Sequence, residues 1–192
     1  MKKIEKNGFI VIISGPPGVG KDTISNILTE KHGFKKLTSY TTRQKRNDDK
    51  EGDYYFLTEE EYFVRLGKNE FIYENPVIIH GAYYGLSIKD LENLLNECKN
   101  VIAILADNTP FLVKKRFPEN TILIFILPPS GIALRKRLIK RGLSNEEVIK
   151  RINEYKNYMP LILDYDLIIV NQTDKQEDTA DQIITYPHFQ VY

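Results

Sequence analysis

Phe9-Ile10-Val11-Ile12-Ile13-Ser14-Gly15-Pro16-Pro17-Gly18-Val19-Gly20-Lys21-Asp22-Thr23 decides the fold. Its first five residues are all apolar and mostly β-branched, as in a strand covered on both faces. A turn with three glycines follows. Ile24, Ile27 and Leu28 then recur at helical spacing. Gly15 to Lys21 fits G-x-x-x-x-G-K, a phosphate-binding P-loop. Its glycines let backbone N–H groups converge on an anion, and the helix behind adds its N-terminal partial charge. Lys21 reaches the terminal phosphates. Gly15 to Thr23 are therefore the expected binding set for a nucleoside triphosphate. Asp22 stands where Ser or Thr is usual, and Thr23 comes one step later. The plain alternative is a glycine-rich turn without a ligand; the strand before it and the helix after it argue against that.

The rest of the composition narrows the class. The 192 residues suffice for one domain with a substantial core. Apolar residues at 42%, charged residues at 28% and a net charge of +1 describe an ordinary soluble protein without a nucleic-acid partner. The single cysteine, Cys98, excludes an intrachain disulfide and is expected to pack on a helix. His32, His80 and His188 are scattered, without ligand spacing. No stretch reaches the roughly 20 apolar residues of a membrane span, and MKKIEKNG lacks the apolar core of a signal peptide. The expectation is a cytoplasmic protein without a membrane partner, either monomer or homodimer.

Along the chain, apolar runs alternate with helical patterns. Strands are predicted at Phe9–Ser14, Val101–Leu105, Thr121–Leu127 and Leu167–Val170. Helices are predicted at about Lys21–Lys31, Ile88–Lys99, Ser130–Arg141 and Asn145–Tyr158. This alternation gives an α/β fold, a parallel sheet with helices on both faces, and places ligands beyond the C-terminal strand ends. The stretch from Leu37 to Tyr84, dense in Tyr and Thr, breaks the pattern. Its short runs Asp53–Leu57, Glu70–Tyr73 and Val77–Ile79 read as a small, mostly β insertion. Gly142–Glu147 separates two helices and reads as a mobile lid. The division expected is a core of 1–37, 86–136 and 159–192, an insertion of 38–85 and a helical lid of 137–158. One more helix is expected after Asn171, with a frayed end from Pro187.

Three further groups carry chemistry. Arg43 and Arg46 lie three residues apart near Tyr54 and Tyr84, which suits a second phosphate; the alternative is a solvated basic turn beside core aromatics. Arg137 and Arg141 share a helix face, with Arg151 beyond. They suit the charge that builds up in phosphoryl transfer, or they form an ordinary basic surface. Asn171 ends the run DLIIVN, where it either reads an adenine edge or caps the next turn.

In order, the P-loop, SYTTRQKR, GDYYF, AYYG, RLIKRG…IKR and DLIIVN resemble guanylate kinase over about Phe9 to Asn171. The resemblance implies a three-part P-loop kinase of core, GMP-binding insertion and lid. It implies transfer of the γ-phosphate of ATP to GMP with Mg²⁺. Carried over, Lys21 contacts the phosphates, and Thr23 offers its hydroxyl to the metal. Ser39 binds guanine, and Arg43, Arg46, Tyr54 and Tyr84 clamp the GMP phosphate. Arg137, Arg141 and Arg151 surround the ATP phosphates, and Asn171 lies near adenine. Lys21, Arg43, Arg137 and Arg151 are the catalytic set. The base pocket departs from the family. Phe71-Ile72-Tyr73-Glu74 carries its glutamate one position late. Leu86 follows Gly85, and Ala106-Asp107 puts alanine where an aspartate is usual. Glu74 and Asp107 are the expected stand-ins as acceptors for guanine. The other readings are a kinase of the same fold with a different acceptor and a non-catalytic binding module.

Overall fold

The computed structural model describes residues 8–46, 49–97 and 100–187. Five parallel strands form the main sheet, in the order β2-β7-β1-β8-β9. They are β1 (Phe9–Ser14), β2 (Lys35–Lys36), β7 (Asn100–Ile104), β8 (Thr121–Leu127) and β9 (Leu167–Val170). A smaller sheet, in the order β4-β3-β6-β5, is built from β3 (Ser39–Thr41), β4 (Tyr54–Phe56), β5 (Val77–Ile79) and β6 (Ala82–Gly85). The helices are α1 (Lys21–Lys31), α2 (Glu59–Gly67), α3 (Ile88–Glu97), α4 (Thr109–Arg116), α5 (Gly131–Lys140), α6 (Asn145–Tyr158) and α7 (Gln176–Ile184).

The unbroken apolar strands follow from burial on both sides. Side chains alternate across a strand. Ile10 and Ile12 therefore join Leu123, Phe125, Leu91 of α3 and Val113 of α4 on one face. Val11 and Ile13 join Ile122 and Ile124 on the other. There α1 contributes Ile24 and Leu28, α5 contributes Leu134 and Leu138, and α7 contributes Ala180 and Ile183. Insertion residues Ile72, Tyr73 and Val77 sit in the first of these clusters, so the insertion shares the core's own packing.

Several expectations needed correction. The second core strand runs Asn100–Ile104, one residue earlier than Val101–Leu105. The insertion holds the nine-residue helix α2 besides its four strands. Glu70–Tyr73 is not a strand; it makes one isolated bridge, Phe71 to Ser87. Helix α4 has no counterpart among the expected helices. Cys98 and the chain after Pro187 lie outside the described residues. Among the described residues, no helix is long and apolar enough to cross a membrane.

Candidate active site

Strand β1 ends at Ser14, whose hydroxyl donates to the carbonyl of Leu105 at 2.9 Å, tying the start of the P-loop to the end of β7. The loop turns with φ of +144° at Gly15 and +97° at Gly20. A Cβ on Gly15 would lie 2.4 Å from the Ile126 carbonyl oxygen, and one on Gly20 would lie 2.7 Å from the Asn171 amide nitrogen. Conformation and space thus both demand glycine at these positions. Lys21 opens α1, and its Nζ donates back to the carbonyls of Gly15 at 2.8 Å and Pro16 at 3.0 Å. Burial pulls its pKa down to about 8, the nearby charge of Arg141 pulls the same way, and Asp22 opposes both. Asp22 and Thr23 are exposed in the first turn of α1. An acidic side chain there is favourable to the helix dipole.

Asn171 lies behind the loop. It is fully buried. Its Nδ2 donates to the Val19 carbonyl at 2.6 Å, and its Oδ1 accepts from the Thr179 hydroxyl at 3.0 Å. Both ends of the amide are thus engaged inside the protein. Arg137 reaches the same place, with long bonds to the carbonyls of Val19 at 3.4 Å and Asn171 at 3.1 Å.

In front of the loop lies a cavity of about 230 Å³. Gly15, Pro17 and Lys21 form its floor. Ser39, Tyr54, Tyr73 and Tyr84 enter from the insertion, with His80 from the β5–β6 turn. Ala106, Asp107 and Thr109 enter from the β7–α4 turn, and Arg151 and Glu154 from α6. Residues of the P-loop, the 38–85 stretch, the β7–α4 connection and α6 thus meet here. Asp107 has φ of +54°, and the Thr109 hydroxyl donates to the Ala106 carbonyl at 2.6 Å, so the turn is tight.

Of the two expected base acceptors, Asp107 lines this cavity and Glu74 does not. Glu74, Asn75 and Pro76 are all exposed. The cause is the residue before them. Tyr73 is buried in the core cluster with Leu105 and Val113, and its hydroxyl lies within hydrogen-bonding reach of Thr109. The Ile72 N–H is fixed to the Leu86 carbonyl at 2.7 Å, and its carbonyl accepts from Arg116 at 3.0 Å. With that segment pinned, the next side chain turns to solvent. Burial pushes the Tyr73 phenol far up, so it is a neutral wall of the cavity.

Arg43 and Arg46 do not line the cavity. Arg43 grips Asp49 with two parallel bonds of 2.8 Å, and the Arg46 N–H donates to the same carboxylate at 2.6 Å. Arg43 holds the Asp49 carboxyl down at about pKa 2. The Arg43 guanidinium lies over the Tyr54 ring at 4.9 Å, and Tyr54 packs edge-on to Tyr84 at 6.2 Å. Arg46 is exposed. Arg151 bonds Glu154 at 2.9 Å within the cavity wall. Asp49 and Glu154 were not foreseen as site residues, although each follows its arginine within two helical turns of sequence. Lys21, Arg43 and Arg151 therefore rest on internal oxygens of the kind a phosphate presents.

The family model for guanylate kinase matches residues 7–186. The guanylate kinase of Onion yellows phytoplasma is 40% identical over 187 residues, covering 95% of this chain and 86% of that relative. The guanylate kinase of Thermotoga maritima is 33% identical, covering 93% of this chain and 85% of its own length. The crystal structure of guanylate kinase from Anaplasma phagocytophilum superposes with a TM-score of 0.71 at 29% identity, over 92% of this chain and 82% of that one. A P-loop opening on a cavity shared by core, insertion and α6 agrees with these likenesses, and the chain belongs to the guanylate kinase family.

Proposed function

We propose that this chain transfers the γ-phosphoryl group of ATP to GMP, giving ADP and GDP. One observation carries the reading. Gly15, Pro17 and Lys21 of the P-loop form a wall of the same cavity as Ser39, Tyr54, Tyr84 and Asp107. A donor phosphate on the loop and an acceptor in the cavity would be neighbours, as in-line transfer requires. An oxygen of the GMP phosphate attacks the γ-phosphorus, and the bond to the bridging oxygen of ADP breaks. No chemical base is needed, since the reaction turns on positioning and charge neutralisation.

In this reading Lys21, Arg137, Arg141 and Arg151 balance the moving charge. Arg43 and Arg46 exchange Asp49 for the phosphate of GMP, with Tyr54 and Tyr84 beside it. Ser39 and Asp107 meet the base. Guanine offers N–H donors that need an acceptor, which the Asp107 carboxylate supplies. Among the described residues, no three His, Cys, Asp or Glu side chains cluster as a metal cage. The oxygens of Thr23 and Asp22 at the loop's end fit Mg²⁺, which takes few protein ligands and completes its shell with phosphates and water. Bound there, it would neutralise charge on the triphosphate. The protein would work on small nucleotides in the cytoplasm, as monomer or homodimer. Retention of Lys21 and the lid arginines speaks against a purely binding module.

Initial rates with ATP and a panel of GMP, dGMP, AMP, CMP and UMP test the reading. GMP is expected to exceed the non-guanine acceptors by about 100-fold or more in kcat/KM, the scale on which buried polar recognition discriminates. Equal rates across the panel would sink it.

A further inference from the structure

Thr179 lies on α7, and nothing in the chemistry above calls for it. It is almost fully buried, and its hydroxyl donates to Asn171 Oδ1 at 3.0 Å. The Lys175 carbonyl is a second acceptor in reach, at 3.3 Å, but the shorter bond goes to Asn171 and favours the amide facing that presents its oxygen, because only the oxygen can accept. The amide nitrogen is thereby turned to the Val19 carbonyl, which it meets at 2.6 Å. Asn171 is itself anchored, since its N–H donates to the Leu127 carbonyl of β8 at 2.9 Å. A path of two hydrogen bonds thus runs to the P-loop from α7, which packs beside α1 on the same face of the sheet.

The end of the path is one peptide group. The described chain has no cis peptide bonds. In a planar trans peptide the carbonyl of one residue and the N–H of the next point in opposite directions. Pulling the Val19 carbonyl towards Asn171 therefore aims the Gly20 N–H away from it. Gly20, with φ of +97°, has little intrinsic preference that would hold this peptide by itself.

We propose that Thr179 and Asn171 are positioning residues that orient the Val19–Gly20 peptide as an anion donor, and that Asn171 makes no contact with the adenine base. The proposal rests on the kinase reading for the identity of the loop's ligand, but its test is binding and not turnover. A chain that bound triphosphates without phosphorylating GMP would end the kinase reading and leave this comparison standing.

Calorimetry with ATP, GTP and inorganic tripolyphosphate separates the two roles for Asn171. Thr179→Val removes the hydroxyl, keeps the volume and touches no cavity residue. It is expected to weaken all three ligands by one common factor of about 5-fold, the scale of a lost hydrogen bond. Thr179→Ser is expected to restore them, and GMP binding is expected to stay as in the parent. Asn171→Ala should repeat the pattern with a larger factor; should it fail to fold, the Thr179 pair carries the test alone. Three results would overturn the proposal: weakened ATP with unchanged tripolyphosphate, an equal loss of GMP affinity, or no change in any triphosphate.

Discussion

Lys21 is held in a position that costs stability. Its ammonium is drawn into the site, and its pKa falls from the ordinary 10.5 to about 8, chiefly through burial. The unfolded chain then binds the proton more tightly than the folded one. Between pH 8 and 10.5 the folded lysine is neutral while the unfolded one still holds its proton, so stability should rise with pH; below pH 8 the full penalty applies. That depression corresponds to about 3 kcal/mol, less what the carbonyls of Gly15 and Pro16 would lose. Lys21→Met keeps the stem and removes the charge. It is expected to melt higher than the parent at pH 7, with the gap closing above pH 10.5, while turnover falls by about 100-fold or more. Phosphate oxygens would restore the proton, so ATP binding near pH 8 to 9 should take up protons. Calorimetric heats that shift with the ionisation heat of the buffer would report the uptake, and heats that do not would place the titration elsewhere. The sequence announced this lysine through its motif. It could not announce Asp49 or Glu154, because ion pairing to Arg43 and Arg151 depends on how the flanking turns fold and not on residue type.

At the scale of elements, legibility followed burial. Strands β1 and β8 have the expected bounds because both faces of each are covered, and composition alone then marks a strand; the edge strand β9 also has them, as an unbroken Leu-Ile-Ile-Val run, although Ile168 and Val170 are exposed. Helix α2 was hidden by the opposite circumstance. Only Tyr62 is buried along it, while Phe63 and Val64 are exposed, so no apolar stripe repeats. Its real signal was Thr58-x-x-Glu61. The Thr58 hydroxyl accepts from the Glu61 N–H at 3.1 Å, and the Glu61 carboxylate accepts from the Thr58 N–H at 2.8 Å. This reciprocal pair satisfies two orphan donors of the first turn. Helix α4 carried a comparable mark in Pro110 at its start. With so little packing, α2 depends on its cap. Thr58→Ala is expected to lower stability by about 1 kcal/mol, read as a shift of the urea midpoint at unchanged slope. Thr58 does not line the cavity, so the KM for GMP should hold; a loss of GMP binding larger than the loss of stability would mean that α2 shapes the site.

Across the whole molecule, the question is whether the insertion at 38–85 is a domain or part of the core. Its far end looks separable, with its own four-stranded sheet and an exposed helix. Its near end does not. Ile72, Tyr73 and Val77 are buried in one cluster with Ile10, Ile12 and Phe125 of the main sheet. The Ile88 N–H that opens α3 donates to the Glu70 carbonyl, and a Cβ on Gly85 would meet the Phe71 ring at 2.7 Å. Removing the insertion would open that cluster and leave the first face of the sheet partly bare. Folding of the core therefore requires the insertion, and the molecule should unfold as one cooperative unit. The chain supplies a probe for this. It has no Trp and 12 Tyr, and Tyr40, Tyr54, Tyr55, Tyr62, Tyr73, Tyr83 and Tyr84 all lie in the insertion. Tyrosine fluorescence thus reports mainly the insertion, while circular dichroism at helical wavelengths reports mainly the core and α6. The two urea transitions are expected to coincide in midpoint and slope. GMP and ATP, added singly, should each shift both curves together, by mass action on the one native state. A fluorescence transition that came first, and moved with GMP alone, would show the insertion to be an independent unit docked on the core.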